Sequence, residues 1–261
     1  SLDGYPQSGS YSSKAGSSVA LSADGAIVAF GMEEYNTATG RVRVFSWDAV
    51  AGTWTQLGQE GELDGEPESW DTQGWDFHGN KVALSDDGTV LAVGAPNHSY
   101  SNQHNQGRVR VYKYEANNNS WNQRGQDILG LAPSNHLGMA VDLSADGTVL
   151  AVGDKGNEQS GRVTVFSWNE AGNAWELFGQ ANGDRKGEII GEAAYDRGGE
   201  TLQLSANGMV IVIGAKHNDP QDNNGGAISN GGHARVWAYD ADTDKWNKIG
   251  EDLDGEHDSG W

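Results

Sequence analysis

Three irregular stretches concentrate the side chains able to do chemistry. Residues 66–79, EPESWDTQGWDFHG, set Trp70 and Trp75 among Glu66, Glu68, Asp71 and Asp76. Indole rings beside carboxylates suit a sugar, whose apolar face stacks on the ring while its hydroxyls bond the acids. The same rings equally suit packing at the end of a sheet, and Tyr5, Tyr11, Tyr195 and Trp261 in comparable segments favour that role. Residues 96–107, PNHSYSNQHNQG, add His98, Tyr100 and His104 as candidate ligand contacts. A histidine and a tyrosine do general acid-base work only when both lie within hydrogen-bond reach of the reacting group. Residues 216–232, KHNDPQDNNGGAISNGG, contain Asp219, Asp222, Asn223 and Asn224. Such hard oxygen donors point to calcium, yet runs of Asn, Asp and Gly are ordinarily solvated turns. Asp219 and Asp222 are therefore weak metal candidates, and no other cofactor is expected.

These stretches interrupt a repeat, and the repeat must position them. LSADGAIVAFG (21–31), LSDDGTVLAVG (84–94), LSADGTVLAVG (143–153) and LSANGMVIVIG (204–214) are near copies. Their turn glycines Gly25, Gly88, Gly147 and Gly208 lie 63, 59 and 61 residues apart. Each copy is followed by a strand pattern, GRVRVFSW (40–47), GRVRVYKY (107–114), GRVTVFSW (161–168) or HARVWAYD (233–240). A third element starts at Trp54, Trp121, Trp175 or Trp246, and a short LDG, ILG or IIG step closes the unit at 63–65, 128–130, 189–191 and 253–255. The Asp-Gly pair reads as a two-residue hairpin turn. The run after it is continuously apolar, which means a sheet covered on both faces. Four antiparallel strands per unit, arranged radially, predict an all-β β-propeller of four four-stranded blades. The repeats fall at about 16–78, 79–137, 138–198 and 199–261 of one domain spanning 1–261, with 1–15 a partial closing segment. A fifth LDG at 2–4 would compete with 253–255 in a closed four-blade ring, so a half-ring completed by a second chain, or a larger parent chain, is the alternative. Arg41, Arg108, Arg162 and Arg235 recur once per unit and are expected to pair with a carboxylate or carbonyl of their own or a neighbouring blade.

Composition narrows the function. Thirty-seven acidic against seventeen basic residues give a net charge of −20, which disfavours nucleic acid and anionic membrane surfaces as partners. There is no cysteine, which removes disulfides, thiolate metal sites and a cysteine nucleophile. Neither a membrane-spanning run nor a signal peptide is recognised. Asn97 in NHS and Asn118 in NNS match the glycosylation pattern, a short and often accidental signal.

The unit GNKVALSDDGTVLAVGAP…GRVRVYKYEANNNSWNQRGQ (79–126) resembles the FG-GAP type of propeller repeat, related to the blades of integrin α-subunit heads. The GAP triplet stands at Gly94, Ala95 and Pro96, whereas the calcium hairpin of that family is reduced to single acids at Asp24, Asp87 and Asp146 and to Asn207 in the fourth copy. The resemblance implies a non-catalytic extracellular or cell-surface module that binds a protein or glycan through its loops, and not an enzyme. Two alternatives remain open. One is a polysaccharide-active lyase or hydrolase with its site at one end of the channel, since propeller lyases use a histidine and tyrosine pair. The other is a structural repeat of a larger surface protein.

Overall fold

The computed structural model describes residues 13–66, 75–101, 103–156, 160–183, 185–219 and 231–255. Four antiparallel sheets follow one another along the chain. The first contains β1 (Ala15–Leu21), β2 (Ile27–Met32), β3 (Arg41–Asp48) and β4 (Thr53–Leu57). The second contains β5 (Lys81–Leu84), β6 (Val90–Ala95), β7 (Arg108–Glu115) and β8 (Ser120–Gln123), with β9 (Ile128–Leu129) added to β7. The third contains β10 (Ala140–Leu143), β11 (Val149–Asp154), β12 (Arg162–Asn169) and β13 (Ala174–Leu177), with β14 (Glu188–Ile190) added to β12. The fourth contains β15 (Thr201–Leu204), β16 (Val210–Ala215), β17 (His233–Asp240) and β18 (Lys245–Asp254). These are the blades of a β-propeller, as the repeat implies.

The closing step completes each blade. The third strand is eight residues long, while the Trp strand of the first three blades covers only half of its edge. The chain then returns, so that Ile128 lies opposite Val109, Ile189 opposite Val163 and Leu253 opposite Ala234. In the first blade the Val42 N–H donates to the Leu63 carbonyl at 2.9 Å. An edge that would otherwise expose unpaired backbone is thereby closed.

The opening hairpin is longer than a two-residue turn. Gly25 N–H donates to the Ser22 carbonyl, and the Asp24 carboxylate accepts from the Ala26 N–H and the Ser22 hydroxyl at 2.9 and 2.7 Å. Gly25 takes φ +73°, a left-handed conformation that a side chain would strain. Asp87, Asp146 and Asn207 make the corresponding bonds to Ser85, Ser144 and Ser205. These carboxylates serve their own turns.

Blade faces pack in sequence. Leu63 joins Val82 and Leu91 of the next blade, Leu143 sits with Val109 and Val111 of the blade before it, and Leu204 sits with Val163 and Val165. All six residues of β6 and of β11 are buried. Burial of each such aliphatic side chain contributes about 1.5–3 kcal/mol. Indole nitrogens tie adjacent blades: Trp121 Nε1 donates to Leu57 O, Trp175 to Arg124 O and Trp246 to Phe178 O, at 3.2, 2.9 and 2.9 Å. The inner strands meet in the order β1, β5, β10, β15, and among the described residues no comparable packing returns from β15 to β1. Among the described residues the first and fourth blades do not pack on each other, where the sequence alone favours a closed ring as the simplest arrangement.

Candidate functional site

Tidy hairpins occupy one end of every blade, while the β2–β3 type loops and the blade-to-blade connections share the other. The connection into the second blade carries Trp75, Asp76, Phe77 and His78, whose side chains alternate outward and inward. Trp75 is 54% exposed, whereas Asp76 and His78 are buried. Trp75 and Phe77 stack with ring centroids 6.4 Å apart and 24° between planes. Together with Glu34, Thr37 and Ala38 they line a pocket of about 260 Å³.

The wall of that pocket is bent backbone. Asn36, Thr37 and Ala38 hold φ of 48°, 59° and 65°, and Phe77 holds 55°, left-handed values that cost energy for residues with side chains. Glu34 is the carboxylate of the lining, and Lys14 Nζ lies 2.7 Å from its Oε1. That hydrogen bond to Glu34 raises the Lys14 ammonium above its ordinary value. An aromatic wall beside a lysine-paired acid can seat a sugar-like ring and hold or move a proton at its edge.

Beneath the pocket the inward side chains enter a buried charge cluster. Asp76 Oδ2 lies 3.2 Å from His98 Nδ1 and accepts from Arg108 Nη2 at 3.2 Å, with all three side chains buried. A carboxylate on Nδ1 fixes the orientation of an imidazole. Arg110 donates to Asp127 at 2.8 and 3.0 Å and to Glu66 at 3.1 and 3.2 Å. Burial pushes the Asp127 carboxyl up, but the Arg110 guanidinium holds it below its ordinary value. Burial, reinforced by Arg108 and Arg110, holds His78 well below its ordinary value, and both of its ring nitrogens lack a hydrogen-bond partner among the described residues. His78 stands where the other blades have Leu137 and Gly198. A polar ring at an otherwise apolar or empty position is a departure that blade construction does not require.

The structure brings some of the expected residues together and leaves others apart. Trp75 lines the pocket and His98 joins Asp76 under it. Tyr100 is exposed and pairs through its backbone with Gln103, while His104 is exposed and its carbonyl accepts from Ser134 N–H. Trp70 and Asp222 lie outside the described residues, and Asp219 is exposed. Phe77, Glu34 and His78 are participants that sequence reading missed. The W-D-F-H alternation was the available signal for two of them, whereas Glu34 arrives through an irregular turn.

The repeated basic residues need a register correction. Arg41, Arg108 and Arg162 face Met32, Ala95 and Asp154, and the equivalent place opposite Ala215 belongs to His233. Arg235 instead matches Arg43 and Arg110. The expected pairing with carboxylates is present: Arg41 bonds Asp64 and Glu60, Arg162 bonds Asp154 and Glu188, and Arg235 bonds Asp252 and Glu192. Glu192, His233 and Asp252 are close enough to share a cation, but the Arg235 guanidinium already supplies positive charge to both acids.

No family model matches the chain, and no curated protein matches it. Among solved structures, the periplasmic gluconolactonase PpgL of Pseudomonas aeruginosa aligns with 93% of this chain at TM-score 0.58 and 17% identity. This chain spans 58% of the length of that protein. TolB from Acinetobacter baumannii aligns with 89% of this chain and 42% of its own at TM-score 0.41 and 14% identity. The first likeness agrees with the propeller fold. It also overturns the expectation of a non-catalytic adhesion module and of a protein that is not an enzyme: a solved propeller that follows nearly the whole chain is a periplasmic gluconolactonase. That protein is periplasmic, and no helix among the described residues is long and apolar enough to cross a membrane.

Proposed function

We propose that the protein is a carbohydrate-directed hydrolase that receives a neutral sugar or sugar lactone in the Trp75–Phe77 pocket. The observation that carries this reading is the four-residue segment 75–78, which lines the pocket with two stacked rings and, on its inward side, anchors the Asp76–His98–Arg108 cluster. The rings take the apolar face of the substrate. Glu34 is the general base, and Lys14 beside it stabilises the negative charge that develops on the carbonyl oxygen. In lactone opening, water adds to the carbonyl carbon as its proton passes to Glu34; the ring C–O bond then breaks and the departing oxygen takes that proton. Asp76, His98 and Arg108 are positioning residues, since each is buried below the pocket. The net charge of −20 favours neutral over uronic substrates.

The sugar-lactone class is supported by the activity of the propeller from Pseudomonas aeruginosa, while the assignment of atoms rests on this chain's own pocket. We further read the blades as FG-GAP-like, on the Gly94-Ala95-Pro96 triplet, with 1–261 as one four-bladed unit of an exported protein. A turnover panel of neutral aldonolactones, neutral glycans and uronic polymers tests the proposal. Hydrolysis of a neutral member, with KM raised about tenfold or more by Trp75→Ala, is expected, a loss of roughly 1.4 kcal/mol of binding. Activity confined to uronic polymers, or none on any member, would refute it.

A further inference from the structure

The three blade-to-blade contacts inside the chain define what each blade face is built to meet, and the two outermost faces lack that neighbour. Leu143 in β10 is 6% exposed because the second blade covers it, whereas its counterpart Leu21 in β1 is 60% exposed, and Val19 beside it is also open. At the other end Leu253 is 62% exposed, although its counterpart Leu63 is 5% exposed under the second blade. Phe30 and Phe45 stack on each other and are covered, so the open parts of the first blade are its inner strand and the half-buried Trp54 on β4.

The polar and close-packed features are missing in complementary halves. Ala23 N–H donates to Asp86 O, Asp86 N–H to Ala145 O, and Ala145 N–H to Ala206 O, at 2.9, 2.9 and 2.7 Å. The series stops there: Ala206 N–H and Ala23 O have no partner among the described residues. A side-chain atom added at Gly58, Gly125 or Gly179 would strike the tryptophan of the following blade, but at Gly250 it would meet nothing within 4 Å. Gly88, Gly147 and Gly208 press on Ile27, Val90 and Val149 of the preceding blade, while Gly25 presses on nothing within 4 Å. The vacancy at Gly250 on the fourth blade matches Trp54 on the first, and the vacancy at Gly25 on the first matches Val210 on the fourth.

We propose that two copies of this chain associate head to tail, the fourth blade of each covering the first blade of the other, to close an eight-bladed ring. The interface is heterologous and repeated twice, which closes the assembly instead of letting it extend. Ala206 N–H then meets Ala23 O of the other copy, and Trp54 of that copy packs on Gly250 and reaches the Ile249 carbonyl, as Trp121 reaches Leu57 within one chain. Eight blades lie within the usual range of the fold, about four to eight. A second copy supplies both missing faces at once, with surfaces that the chain already uses three times internally.

Light scattering on the 261-residue chain at an ionic strength of about 0.15 M tests this. The expected mass is twice the 27.8 kDa of one chain. Leu21→Lys and Leu253→Lys are each expected to give monomers with unchanged circular dichroism, because both side chains are exposed within the single chain. An equimolar mixture of the two variants is expected to recover a dimer, since one of its two interfaces joins two unaltered faces. A monomeric wild type overturns the proposal, as does a wild type that grows into oligomers beyond the dimer. Failure of the mixture to pair overturns the head-to-tail arrangement.

Discussion

At the scale of single residues, the chain contains its own controls. Asp24, Asp87 and Asp146 bind their turns through a carboxylate, and Asn207 performs the same task with an amide oxygen. Asp87→Asn is therefore expected to leave thermal stability nearly unchanged, while Asp87→Ala loses the bonds from the Ser85 hydroxyl and from the Thr89 N–H and hydroxyl and costs about 1–2 kcal/mol by denaturant titration. Equal loss in both variants would show that charge, not bond geometry, sustains the turn. Histidine burial sets a pH response. Burial, aided by Lys155, lowers His136 from 6.5 to about 4, and burial holds His78 well below its ordinary value. Between about pH 4 and 6.5 the unfolded chain binds protons at His136 that the folded chain refuses, so stability is complete above 6.5 and declines toward pH 4. Melting curves across that range are expected to show the decline, and His136→Asn, which keeps a partner for Asn97, to reduce it. An unchanged slope in that variant would remove His136 from the account.

At the scale of elements, the closing steps offer the sharpest comparison. Ile189 is buried in the core shared by the third and fourth blades, so Ile189→Ala is expected to cost about 2–5 kcal/mol. Leu253→Ala at the equivalent place is expected to leave the unfolding of a single chain nearly unaltered and to weaken association of two chains instead. Matching losses in chemical denaturation of dilute protein would contradict that distinction. The elements were largely legible in the sequence because a Ser-x-Asp-Gly turn, a continuous apolar strand and a tryptophan recur with one spacing. Register was harder. The HARVW segment places its arginine two residues later than the GRV segments do, and only strand pairing shows that His233 holds the position of Arg41. The pocket was half legible: Trp75 and Asp76 stand out as departures from the repeat. Glu34 did not, because a turn of three consecutive left-handed residues has no glycine to announce it.

At the scale of the whole molecule, four blades keep their hairpins at one end and, among the described residues, bring the β2–β3 type loops and the blade-to-blade connections to the other. Repetition accounts for the scaffold, and the departures from it around residues 75–78 and 98 account for the site. Among the described residues the first and fourth blades each leave one face without a neighbouring blade, and the two faces are remote in sequence and complementary in form. Under the proposed function the stacked rings of the pocket seat a neutral sugar-like substrate and Glu34 moves the proton. That reading is tested most directly by kcat/KM on the best neutral substrate for wild type and Glu34→Gln, with circular dichroism confirming that both are folded. A fall of about 100-fold or more, carried by kcat, is expected for a lost general base. Unchanged kcat in the folded variant would contradict the account.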